Sequence, residues 1–134
     1  MRVLYALNCE QAEPRQDGRL DVHGVFHQLY APGFPAKQDR MVLALAVEWD
    51  TEGEGRRDFK IDLVDPGQSP CLTISGHTEV SARKDGEAPP QTRLILPMEE
   101  VVFPLAGTYF FDLQVGDERV SMAPLHLIEN DEAA

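Results

Sequence analysis

No apolar run in this chain is long enough to cross a membrane or to act as a secretory signal. No stretch of useful length has the i, i+3, i+4 apolar spacing of an amphipathic helix. Only two of the 134 residues are cysteine, too few for a disulfide framework. Basic residues are scarce too: 12 against 23 acidic ones, a formal net charge of −11. Each scarcity removes a class of function. A surface of that sign repels phosphate backbones and anionic lipid, which argues against nucleic-acid and membrane partners. The basic pairs Arg56–Arg57 and Arg83–Lys84 have no stacking aromatic immediately beside them and read as solvated strand ends. The expected compartment is the cytoplasm, where Cys9 and Cys71 remain reduced thiols.

What is abundant is alternation. Met41, Leu43, Leu45, Val47 and Trp49 share one parity, as do Phe59, Ile61 and Leu63, and Tyr109, Phe111, Leu113 and Val115. Period two is the pattern of a strand with one face buried and one wet. It predicts an all-β protein. A chain of this size forms one domain that buries roughly two-thirds of its unfolded surface, without metal or disulfide staples. The expected domain spans residues 1–128, and 129–134 form an acidic tail with nothing to bury.

The strands follow from the punctuation. The first runs from about Arg2 to Gln11, with Val3, Tyr5, Leu7 and Cys9 on one face and Leu4 and Ala6 on the other. A strand apolar on both sides is covered on both sides or meets a partner. The second runs from about Arg19 to Tyr30. It points Leu20, Val22, Phe26 and Tyr30 one way, and His23, Val25, His27 and Leu29 the other. Gly24 within it marks a bulge or a close approach. The third, from Met41, has small apolar even residues (Val42, Ala44, Ala46) and reads as central. Pro124 places the last strand at an edge or on a bulge. The total is about seven to nine strands at intervals of about 8 to 15 residues, the spacing of a sandwich or barrel. Tyr109, just after the Gly107 corner, resembles the tyrosine corner of immunoglobulin-like sandwiches. The expected fold is therefore a single antiparallel, immunoglobulin-like β-sandwich.

Motifs for chemistry are thin. His77 and Glu79 have the i, i+2 spacing of two metal ligands, and His126 is the candidate third. The acidic loop Asp50–Gly55 imitates a calcium loop, with Gly55 at its sixth position, but Ile61 stands where a bidentate acid is required. No Gly-x-Ser-x-Gly elbow and no phosphate-cradling glycine loop is present. His23 and His27, about 13 Å apart along an extended strand, are too far apart to share an ion. No catalytic residue, resident metal or cofactor is expected. The expected role is a non-catalytic protein-binding or assembly module, engaging an unidentified protein partner or a second copy of itself. Its surface would be the outward face of the second strand with the following loop: His23, Val25, His27, Leu29 and Phe34. Those histidines would make the contact pH-sensitive near about pH 6.5. Two other readings stand beside it: a metal-binding module or metal-dependent enzyme on His77, Glu79 and His126, and a structural subunit of a phage-derived particle.

The order of these segments carries a resemblance. Asp17-Gly18-Arg19-Leu20-Asp21-Val22-His23-Gly24-Val25-Phe26 is followed by the loop Ala31-Pro32-Gly33-Phe34-Pro35 and by Met41-Val42-Leu43-Ala44-Leu45-Ala46-Val47-Glu48. A strand ending Leu63-Val64-Asp65-Pro66-Gly67 comes next, and Ala106-Gly107-Thr108-Tyr109 near the end. The layout resembles a family of short bacterial all-β proteins described only as a domain of unknown function. Its members read Asp-Gly-Lys-Leu-Asn-Val-x-Gly near the start and Pro-Gly-x-Tyr near the end; here alanine replaces that proline. The resemblance implies a compact β-sandwich and supplies no activity, cofactor or site.

Overall fold

The computed structural model describes residues 1–50 and 54–131. Among them there is no helix, and ten strands form: β1 (Arg2–Cys9), β2 (Gln11–Pro14), β3 (Leu20–His23), β4 (Gln28–Ala31), β5 (Ala36–Glu48), β6 (Gly55–Val64), β7 (Pro70–Val80), β8 (Gln91–Phe103), β9 (Gly107–Val115) and β10 (Glu118–Glu129). They build a three-stranded sheet ordered β1-β5-β8, a five-stranded sheet ordered β4-β10-β9-β6-β7, and the two-stranded hairpin β2-β3.

The main core lies between the two larger sheets. The odd residues of β5 from Met41 to Val47, with Trp49 just beyond the strand, face Ile61 and Leu63 of β6, Tyr109, Phe111 and Leu113 of β9, and Leu125 and Leu127 of β10. Alternation alone places these side chains, since a strand exposes i and i+2 to the same face. Trp49 closes one end, its indole donating to Thr92 Oγ1 at 2.8 Å. β5 is central, and its even face is covered as well. Cys9, Val42 and Ala44 form a second apolar cluster, over which Leu20 and Val22 of the hairpin fold. That explains why the first and third predicted strands are apolar on both sides.

The all-β class holds, but the count and directions differ from expectation. The first predicted strand breaks at Glu10, whose amide bonds the carbonyls of His23 and Gly24. The second breaks at Gly24 itself, which adopts φ +67°. Two strands thus become four. The chain then crosses between the sheets: the Phe26 amide bonds Asn8 of β1, and the His27 carbonyl accepts from His126 of β10. Because β4 arrives by this crossover and not by a hairpin, no tight turn forces reversal, and it pairs with β10 in parallel. The remaining ladders are antiparallel.

Bulges reset the faces of two strands. The β1–β5 register shifts between Val3 and Tyr5. Val3 and Ala6 therefore join the main core, while Tyr5 and Cys9 face the hairpin; the single parity expected for Val3, Tyr5, Leu7 and Cys9 does not hold. In β10 the shift falls between Met122 and Leu125, and Ala123 takes φ +51°. Pro124 is accommodated by this bulge inside the sheet rather than at an edge.

Candidate functional site

The sequence-derived surface does not survive as one face. His23 ends β3, Val25 and His27 lie on the crossover, Leu29 belongs to β4 and Phe34 to the following loop. His23, Val25 and His27 are exposed. Leu29 and Phe34 pack against the main core instead. Tyr30, expected inward, is 51% exposed. Val25, Phe26 and His27 keep the sides that parity gives them; the exchange comes between His27 and Gln28, both exposed, where the chain leaves the crossover and joins β4, and a slip of one residue there turns Leu29 inward and Tyr30 outward. Phe34 thus caps the core end, and the preserved part of the surface is the trio His23, Val25 and His27.

The metal candidate is not assembled. His77 lies opposite Asp58 where β7 meets β6. His126 lies beside Thr108 in the β9–β10 ladder, its Nδ1 3.0 Å from Thr108 Oγ1. β6 and β9 separate β7 from β10, three inter-strand steps or about 14 Å, and the two histidines sit toward opposite ends of the sheet. No group of three or more His, Cys, Asp or Glu poised for an ion occurs among the described residues. Residues 51–53 of the calcium-like loop, and 132–134 of the acidic tail, lie outside the described residues.

The two cysteines are free thiols. Cys9 is buried beneath the hairpin and donates to the Val42 carbonyl at 3.5 Å. Cys71, in β7, donates to the Leu63 carbonyl at 3.2 Å. Burial pushes both thiols above their ordinary pKa, and at Cys71 the Asp65 carboxylate adds to the effect. Both groups are therefore protonated and weakly nucleophilic at neutral pH.

One end of the molecule is built differently from the rest. It collects the β4–β5 loop, the β6–β7 turn and the β8–β9 corner. Tyr109 organises the corner: its hydroxyl donates to the Leu105 carbonyl at 2.7 Å and accepts from the Leu105 amide at 3.0 Å. Its ring meets Phe103 edge-on, with centroids 5.1 Å apart. Locking Leu105 this way turns its side chain to solvent, where it is 50% exposed. Val102 on one outer face, Phe110 on the other and Tyr30 on β4 are exposed at the same end. Four of the six exposed large apolar residues therefore surround this end; the other two are Leu4 and Val25. The opposite end carries a depression of about 490 Å³ lined by Asp50, Arg56, Asp58, Asp117 and Glu118 among others. Charged side chains occur at both ends: at the one that carries Val102, Lys37 and Glu100 pair at 3.8 Å. Sequence reasoning missed the apolar surface because its members come from four segments, each unremarkable by itself.

The family of unknown function (DUF6941) matches residues 4–128, and the chain belongs to that family. No curated protein and no solved structure matches it.

Proposed function

We propose that this chain is a non-catalytic protein-binding or assembly module of the bacterial cytoplasm, with an immunoglobulin-like sandwich as its scaffold. The single observation that carries the reading is the ring of Tyr30, Val102, Leu105 and Phe110 about one end. Large apolar side chains gathered on the surface of a charged protein mark contact sites. The double hydrogen bond of Tyr109 to Leu105 supports the immunoglobulin-like scaffold, since it has the geometry of the tyrosine corner. Two free thiols accord with a reducing compartment. Val25, 43% exposed between His23 and His27, is a second contact candidate.

A photo-crosslinking residue placed at position 105, in the native host, should trap one discrete protein partner or a second copy of the chain. The same label at position 58, at the opposite end, should trap neither. Equal trapping at the two positions, or none at 105, would remove the apolar end as a contact. A label at position 25 tests the second candidate in the same experiment.

A further inference from the structure

The outer face of the three-stranded sheet is stepped. Tyr5, Ala46 and Arg93 lie side by side across β1, β5 and β8, and Leu7, Ala44 and Ile95 form the next row. Alanine on the central strand lowers the middle of the sheet between taller neighbours. The hairpin covers Cys9, Val42 and Ala44. It leaves a groove of about 450 Å³ lined by Tyr5, Leu7, Leu20, Val22, Arg19 and Arg93, with Ala46 in its floor. Arg93 Nη1 donates to the Gly18 carbonyl at 3.0 Å, so the guanidinium is held across the hairpin tip. Although the chain has 23 acidic residues, none lines this groove among the described residues. Two arginines do, and such a local excess of positive charge selects an anion.

The floor also selects against a peptide. Main-chain polar groups of a sheet point along its plane into the ladders, so the face offers side chains only. A peptide laid on that floor would lose water from its amides, with only the rim groups Gln91, Arg19 and Arg93 to replace it. An alkyl chain has no such groups to desolvate. The planar guanidinium fork suits a carboxylate, and the volume falls within the range of small-molecule sites, about 300–1,000 Å³. We propose that this groove binds a single-chain carboxylate amphiphile, a free fatty acid of medium length. Its alkyl chain lies against Tyr5, Leu7 and Val22, and its carboxylate sits at Arg93 and Arg19. The site is independent of the apolar end.

The test is calorimetric titration of the full chain with decanoate below its micelle threshold, with decanol and decyltrimethylammonium in parallel. Saturable single-site binding of decanoate is expected, about tenfold or more tighter than decanol because the charge-assisted contact is lost in the alcohol. The cation should not bind. Arg19→Gln and Arg93→Gln should each weaken decanoate several-fold and leave decanol unchanged. Ala46→Leu, which fills the trough, should abolish binding while unfolding stays cooperative; if that variant does not fold, the arginine variants decide. Absence of saturable decanoate binding overturns the proposal, as does equal binding of all three amphiphiles or indifference to both arginine substitutions. Tighter binding of a short apolar peptide with a free C-terminal carboxylate would overturn it in favour of a protein terminus.

Discussion

At the scale of single residues, Tyr109 does the most identifiable work. Fully buried, it satisfies both main-chain groups of Leu105 with one hydroxyl. Tyr109→Phe keeps the ring and strands those two groups. The expected loss is about 1–3 kcal/mol of stability, measured by urea denaturation at neutral pH. Its pH dependence is also determined. Burial is the largest cause raising the phenol pKa; the Leu105 hydrogen bond lowers it, and Cys71 and Asp65 raise it further. A phenol whose folded pKa exceeds its unfolded value contributes stability that is complete below the unfolded value of about 10. That stability is lost as pH rises through the folded value. Between about pH 9 and about pH 11 the wild-type chain should therefore lose more stability than Tyr109→Phe. Parallel slopes for the two proteins would show that folding leaves the proton affinity of the Tyr109 phenol unchanged. Asn8 is a different kind of residue: 3% exposed, it donates through Nδ2 to the Ala123 carbonyl at 3.1 Å and ties β1 to the bulge of β10. Parity along β1 hides this role, because the bulge at Leu4 turns Asn8 inward.

At the scale of elements, most of the pattern was legible. β6 and β9 form where the alternation of Phe59, Ile61 and Leu63 and of Tyr109, Phe111, Leu113 and Val115 places them, and the predicted centrality of the third strand is met by β5 between β1 and β8. β7 runs on through Gly76 because the Phe59 ring of β6 covers the position where a side chain would stand, 2.7 Å from a built Cβ. The segment after residue 19 was not legible. Its even and odd residues alternate well enough for one long strand, yet Gly24 divides it and sends the halves to different sheets. Gly24 needs its φ of +67° to make that crossing; a Cβ there would also press on the Glu10 side chain, which can swing aside. Gly24→Ala should consequently cost about 1–2 kcal/mol, the usual penalty of a left-handed conformation for an L-residue. Thermal denaturation checks it, and an unchanged midpoint would mean that the crossing tolerates another backbone geometry.

At the scale of the whole molecule, charge and shape act together. A net charge of −11 on 134 residues imposes self-repulsion on the folded state. Raising salt from about 10 mM to about 150 mM shortens the screening length from about 30 Å to about 8 Å. The unfolding midpoint should therefore rise by several degrees over that range; a flat or falling midpoint would show that specific ion pairs, such as Arg2–Glu48 at 3.1 Å, outweigh the general repulsion. The two ends also differ in the large apolar side chains they expose. The end with the depression is kept soluble by its carboxylates, while Tyr30, Val102, Leu105 and Phe110 make the other end the one where burial against a partner gains most.

Period-two alternation, the glycine and proline turns and the double-sided apolarity of β5 already determined an all-β chain with a central strand covered on both faces. These are local facts, set by which side of a strand each side chain occupies. The tertiary structure decided what parity cannot reach. A bulge at Leu4 exchanges the two faces of the rest of β1, and the crossover that opens at Gly24 does the same for β4, so a surface inferred by counting along the chain is split between core and solvent. The apolar end and the arginine-rimmed groove are made of residues far apart in sequence, and only sheet order and register bring them together.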